Sequence, residues 1–155
     1  MWNKKCSIIL SIVTCFIVSA IITVGLFLGP WVIKTWFTSY RGWNAGSFQV
    51  QDAVTLFKFA FYPSAVFAYI ILYNLIKLLF NIKNEQIFIE NNIKHLRRIS
   101  WGCIAVAFIT LASGLFYIPY LFVAVAAGFL GLMLRIVKNA FQSAVTLREE
   151  NDLTI

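Results

Sequence analysis

Residues Asn81–Trp101 read NIKNEQIFIENNIKHLRRISW. This is the only long polar run between apolar segments that also carries a dense block of positive charge. On either side lie segments long and apolar enough to cross a bilayer. The side of the membrane taken by this charge orients everything else in the chain.

The whole sequence points to a membrane. Of 155 residues, 61% are hydrophobic and only 12% are charged, with a mean hydropathy of +0.82. A water-soluble domain carries about 25% charged residues and could not cover its surface with so few. The net charge of +7 would suggest nucleic acid on a soluble protein. Here the 13 Lys and Arg lie between or beside apolar runs, where they set topology against anionic lipid. No direct nucleic-acid binding is expected. Cys6, Cys15 and Cys103 lack zinc-like spacing and fall within or at the ends of apolar runs, which argues against a disulfide framework.

Working toward the N-terminus, Cys6–Leu28 is an uncharged run of 23 residues behind a short basic lead. It exceeds the 7–15 residues of a cleavable apolar region and reads as an uncleaved first crossing, span 6–28. Gly29-Pro30 is expected to break it. An outer loop, 29–55, then holds Trp31, Trp36, Trp43, Phe37 and Tyr40, aromatic side chains that favour the headgroup level. A short amphipathic helix along the surface over Trp31–Tyr40 fits this composition. The second run, Ala53–Phe80, contains the span 57–80, with Pro63 as an expected kink. Lys58, near its outer end, has no carboxylate within a span to pair with and reads as snorkelling to water.

Working toward the C-terminus, no charged residue lies between Arg98 and Arg135. The interval is too long for one crossing and fits two, 99–117 and 119–138, joined by a tight turn with Gly114 and Pro119 as breakers. The cytoplasmic loop is 81–98 and the tail 139–155. With four crossings, ten cations share one side: Lys4, Lys5, Lys77, Lys83, Lys94, Arg97, Arg98, Arg135, Lys138 and Arg148. Lys34, Arg41 and Lys58 occupy the other. The positive-inside rule then places both termini in the cytoplasm. Trp2 and Trp101 fall at the inner boundary, and Trp31, Trp36 and Trp43 on or beyond the outer one. The expected fold is all-α, an up-down-up-down four-helix membrane bundle forming a single domain over residues 1–155.

Few residues invite chemistry. A helix from about Ile89 puts Ile89, Ile93, Leu96 and Ser100 in one sector, with Glu90, Lys94 and Arg98 on a flank of the opposite side. Glu90 and Lys94 form a favourable i,i+4 pair. This amphipathic segment reads as a docking surface, a clamp for anionic lipid, or a plain stop signal lying on the headgroups. Glu149, Glu150 and Asp152 crowd the last seven positions, where they oppose the helix dipole and should be repelled by anionic lipid. One explanation is that this tail latches onto Lys94, Arg97 and Arg98 or is held by a partner; the other is a solvated, frayed end. His95 is the single histidine, so no multi-histidine metal site exists, and it reads as a solvated helix position. Ala124, Gly128 and Gly131 form a small-residue stripe suited to close helix packing, within the chain or between copies in a homo-oligomer. No phosphate loop, nucleophile with a base, or buried carboxylate pair is present, so neither enzyme activity nor a cofactor is expected.

The segment FIENNIKHLRRISW (Phe88–Trp101) and the ending LREENDLTI (Leu147–Ile155) resemble a family of small four-helix bacterial membrane proteins that carry a domain of unknown function. The matching residues are Phe88, Glu90, Asn92, Leu96, Arg97, Arg98, Glu150, Asn151, Asp152, Leu153 and Thr154. Ile89 departs from the pattern, standing where the family usually has a threonine that would cap the helix through its hydroxyl. The resemblance covers mainly the second half of the chain. Members are often encoded beside a Cro-like helix-turn-helix regulator. That implies a protein of the bacterial inner membrane whose cytoplasmic face binds or restrains a DNA-binding partner. Two other functions stay open on the residues alone: a membrane immunity or stress protein acting through its aromatic outer loop against membrane-active peptides, and a transporter accessory subunit.

Overall fold

The computed structural model describes residues 4–39, 50–84 and 89–152. They form four helices, α1 (Lys4–Ser39), α2 (Val50–Lys83), α3 (Glu90–Gly114) and α4 (Pro119–Asp152). Each contains a segment long and apolar enough to cross a membrane.

The first difference from expectation is at Gly29-Pro30. Instead of ending there, α1 continues through both residues to Ser39. Proline removes one backbone donor and so orphans the carbonyl four residues earlier, that of Leu26. The Tyr62 hydroxyl on α2 donates to that carbonyl at 3.2 Å. In an apolar setting an unpartnered carbonyl is what makes an interrupted helix unfavourable, and Tyr62 removes the defect. The expected outer loop is correspondingly shorter, since 29–39 belong to α1 and 50–55 to α2. The surface helix expected over Trp31–Tyr40 is the continuation of α1 as far as Ser39. Tyr40 and Trp43 lie outside the described residues, as does the side chain of Phe37.

Successive helices pack side by side. Gly25 and Gly29 receive the rings of Phe61 and Phe57, which would stand 2.9 and 2.7 Å from an added Cβ. The two rings stack on each other with centroids 4.9 Å apart. Partner numbers fall along α2 as they rise along α1, so these helices are antiparallel. The same holds for α2 and α3, where Asn81 meets Asn92 and Asn74 meets His95, and for α3 and α4, where Ser100 meets Gly131 and Ala107 faces Gly128.

Among the described residues, α1 packs on α2, α2 also on α3, and α3 also on α4; no other pair of helices comes within packing distance. The helices therefore form a row. α3, with a neighbour on each side, is the most buried of the four, and α1, at one edge, the least. Several serine and threonine hydroxyls add little polarity to these surfaces. Thr14, Thr23, Thr35 and Thr110, for example, each donate to the carbonyl four residues back.

The α3–α4 turn is as short as the sequence suggests. Leu115 caps α3 and Pro119 opens α4, at the first helical position, where a missing N–H does no harm. At Gly114 an added Cβ would stand 3.1 Å from the Leu121 nitrogen, so the close turn needs the glycine.

Candidate functional site

The polar side chains gather at the end of the row where α2 finishes, α3 begins and α4 loses its apolar character. Two arrangements occur there, one on each flank of α3.

On the α2 flank, four side chains form two cross-helix hydrogen bonds. Asn81 Nδ2 donates to Asn92 Oδ1 at 2.7 Å. His95 Nδ1 lies 2.9 Å from Asn74 Oδ1; an amide oxygen only accepts, so the ring nitrogen donates. Asn74 also donates to the Ile70 carbonyl at 2.7 Å. Asn92 is fully buried and Asn74 nearly so. His95 is thus no solvated surface position. It ties α3 to α2, with Arg98 and Lys77 close by. Sequence reasoning missed this set, though a signal existed. Asn74 and Asn81 are seven residues apart, two turns on one face, and Asn92 shares the sector of Leu96.

On the α4 flank, a hollow of about 300 Å³ is lined by Arg97, Ser100, Trp101, Arg135 and Lys138. The Arg135 guanidinium lies over the Trp101 ring at 5.8 Å, a cation–π contact that holds the fork in place. Ser100 is buried and donates to the Gly131 carbonyl at 2.8 Å. That bond needs the close approach Gly131 permits, since an added Cβ there would meet Ile104 at 2.9 Å and Cys103 at 3.3 Å.

The remaining expected site residues separate clearly. Ile93, Leu96 and Ser100 are buried and Ile89 half-buried, as the sector argument requires. Ile89 begins α3 with no side-chain cap. Lys94 pairs with Glu90 at 3.3 Å, both largely exposed. Ala124 is buried and Gly128 would present a Cβ 3.7 Å from Ala107, so the small-residue stripe faces α3 within the chain. Trp31 and Trp36 are exposed, and Lys58 is exposed on α2.

Of the expected latch, Glu150 lies well along α4 from the level of Arg97. α4 stays helical to Asp152, so the acidic end has no bend by which to fold back. Since Arg97 lies level with Arg135, Glu150 is displaced along α4 by about 22 Å at 1.5 Å per residue. The side chains of Glu149 and Asp152 lie outside the described residues. Among the described residues, no cluster of three or more His, Cys, Asp or Glu is placed to hold a metal.

The architecture defines an all-α protein with four membrane-length apolar helices. The family model described as "Protein of unknown function (DUF2975)" matches residues 49–155, and the chain belongs to that family. No curated protein and no solved structure matches it.

Proposed function

We infer that the protein is a membrane-anchored binding partner rather than a catalyst, and that its cytoplasmic end engages a soluble regulator. The four apolar helices cross the bacterial inner membrane up-down-up-down, with both termini in the cytoplasm. The cation distribution, ten against three, supports that orientation.

One observation carries the reading. α4 runs to Asp152, 14 residues beyond Lys138, which adds about 21 Å of helix past the charged border. Val145 is still buried this far along α4. The opposite face is open and mixed in character: Asn139, Gln142, Ser143, Thr146 and Glu150 surround Leu147. A helical extension that exposes the Asn139 and Gln142 amides beside one apolar side chain suits protein recognition better than lipid contact. The resemblance to proteins encoded beside a helix-turn-helix regulator supplies the kind of partner.

The test is co-purification of the full-length chain in mild detergent. Wild type should retain a soluble DNA-binding protein, and Gln142→Arg with Thr146→Arg should lose it while the four-helix protein stays intact. A regulator retained equally by the arm variant, or none retained by wild type, would remove the proposal.

A further inference from the structure

We propose that the seam between α3 and α4 binds one anionic phospholipid, with its phosphate in the basic hollow and an acyl chain in the apolar groove that continues from it. Arg97, Arg135 and Lys138 converge on the hollow. Among the described residues none of the three has a carboxylate partner, and the ion pair present there, Glu90–Lys94, lies elsewhere. Three like charges sharing one hollow repel each other until an anion enters. The Ser100 hydroxyl is already committed to Gly131, so recognition of the anion falls to the cations. Trp101 holds the Arg135 fork at the mouth, a geometry that suits two phosphate oxygens.

A free phosphate would fill the hollow alone. The favoured ligand is a lipid because the same seam continues as a second hollow of about 370 Å³, lined by Ile104, Phe108, Val125 and Gly128 among other apolar residues. The two hollows lie on one helical stripe. On α3, Arg97, Trp101, Ile104 and Phe108 follow at steps of four, three and four, and on α4, Lys138, Arg135, Leu132 and Gly128 do so at three, three and four. A basic pocket leading into a greasy furrow matches a phosphodiester joined to an acyl chain. This inference is independent of the regulator reading, since the seam lies to one side of the projecting arm.

The experiment reads lipid retention by native mass spectrometry of the full chain, exchanged into nanodiscs of phosphatidylglycerol or phosphatidylcholine. Wild type should keep phosphatidylglycerol preferentially. Arg97→Gln with Arg135→Gln should lower that retention by about fivefold per cation removed and leave phosphatidylcholine unchanged. Val125→Trp, at an exposed position that fills the furrow, should lower retention of both lipids. Arg98→Gln, on the α2 side of α3, should change neither, and circular dichroism checks that every variant keeps its helices. Equal retention of phosphatidylglycerol by wild type and the double variant would overturn the site. Displacement by millimolar inorganic phosphate together with an inert Val125→Trp would overturn the lipid in favour of a free anion.

Discussion

Proline 30 shows how a single atom elsewhere decides a local conformation. Nothing in residues 25–35 reveals that α1 survives Gly29-Pro30, because the rescuing hydroxyl comes from Tyr62 on a different helix. Gly29 contributes the other half, leaving space that the Phe57 ring occupies. The dipeptide that reads as a breaker thus serves as a seat for α2. A double-mutant cycle isolates the hydroxyl. Tyr62→Phe alone should cost about 0.6–1.7 kcal/mol of stability in detergent or bilayer, the range for hydrogen bonds between membrane helices. In a Pro30→Ala background the amide returns to satisfy Leu26, and Tyr62→Phe should then cost nearly nothing. Equal losses in both backgrounds, measured by steric trapping or reversible unfolding, would show that the bond does not compensate the proline.

At the scale of elements, the α2–α3 and α3–α4 contacts are built differently, and that explains which of them sequence reasoning could find. The α3–α4 seam rests on small residues at helical spacing, Ala124, Gly128 and Gly131, with a short turn between Gly114 and Pro119. Such a pattern is local and therefore readable. The inward sector of α3 and the Glu90–Lys94 pair were readable for the same reason. The α2–α3 contact depends on Asn74, Asn81, Asn92 and His95 choosing each other across two helices. An asparagine in an apolar run does not name its partner, and His95 beside Lys94 and Arg97 resembles a wetted position. The acidic ending suggested a latch by charge complementarity alone, and α4 stays helical to Asp152. Asn92→Ala should expose the value of the polar contact. Removing a fully buried amide leaves Asn81 without its acceptor and should destabilise the protein by about 1–3 kcal/mol. The double variant with Asn81→Ala should lose less than the sum of the single losses. Strict additivity in chemical unfolding would mean that the two amides act separately.

For the whole molecule, the row of helices has consequences that a closed bundle would not. Among the described residues α1 packs along α2 alone, and large apolar side chains such as Phe27 and Trp31 lie exposed along it. In water such a surface would drive aggregation; in a bilayer it is the ordinary lipid-facing side of an edge helix. The antiparallel register then fixes which ends share a side without reference to charge. The end of α2, the start of α3 and the end of α4 lie together, and the α3–α4 turn lies at the far end with the start of α2. Charge counting and helix pairing are separate arguments, and both predict that Lys83 and Glu150 face one compartment while Tyr117 faces the other. Single cysteines at these three positions, in a Cys6→Ser, Cys15→Ala, Cys103→Ala background, provide the measurement. An impermeant maleimide added to intact cells should label the Tyr117 position alone, and Lys83 and Glu150 should react only after the membrane is opened. Labelling of Lys83 and Glu150 from opposite sides would mean that the four helices do not each cross the membrane. The cytoplasmic arm and the ten-against-three orientation would then fall together, whereas the packing of α3 on α4 and its basic hollow would remain to be tested in their own right.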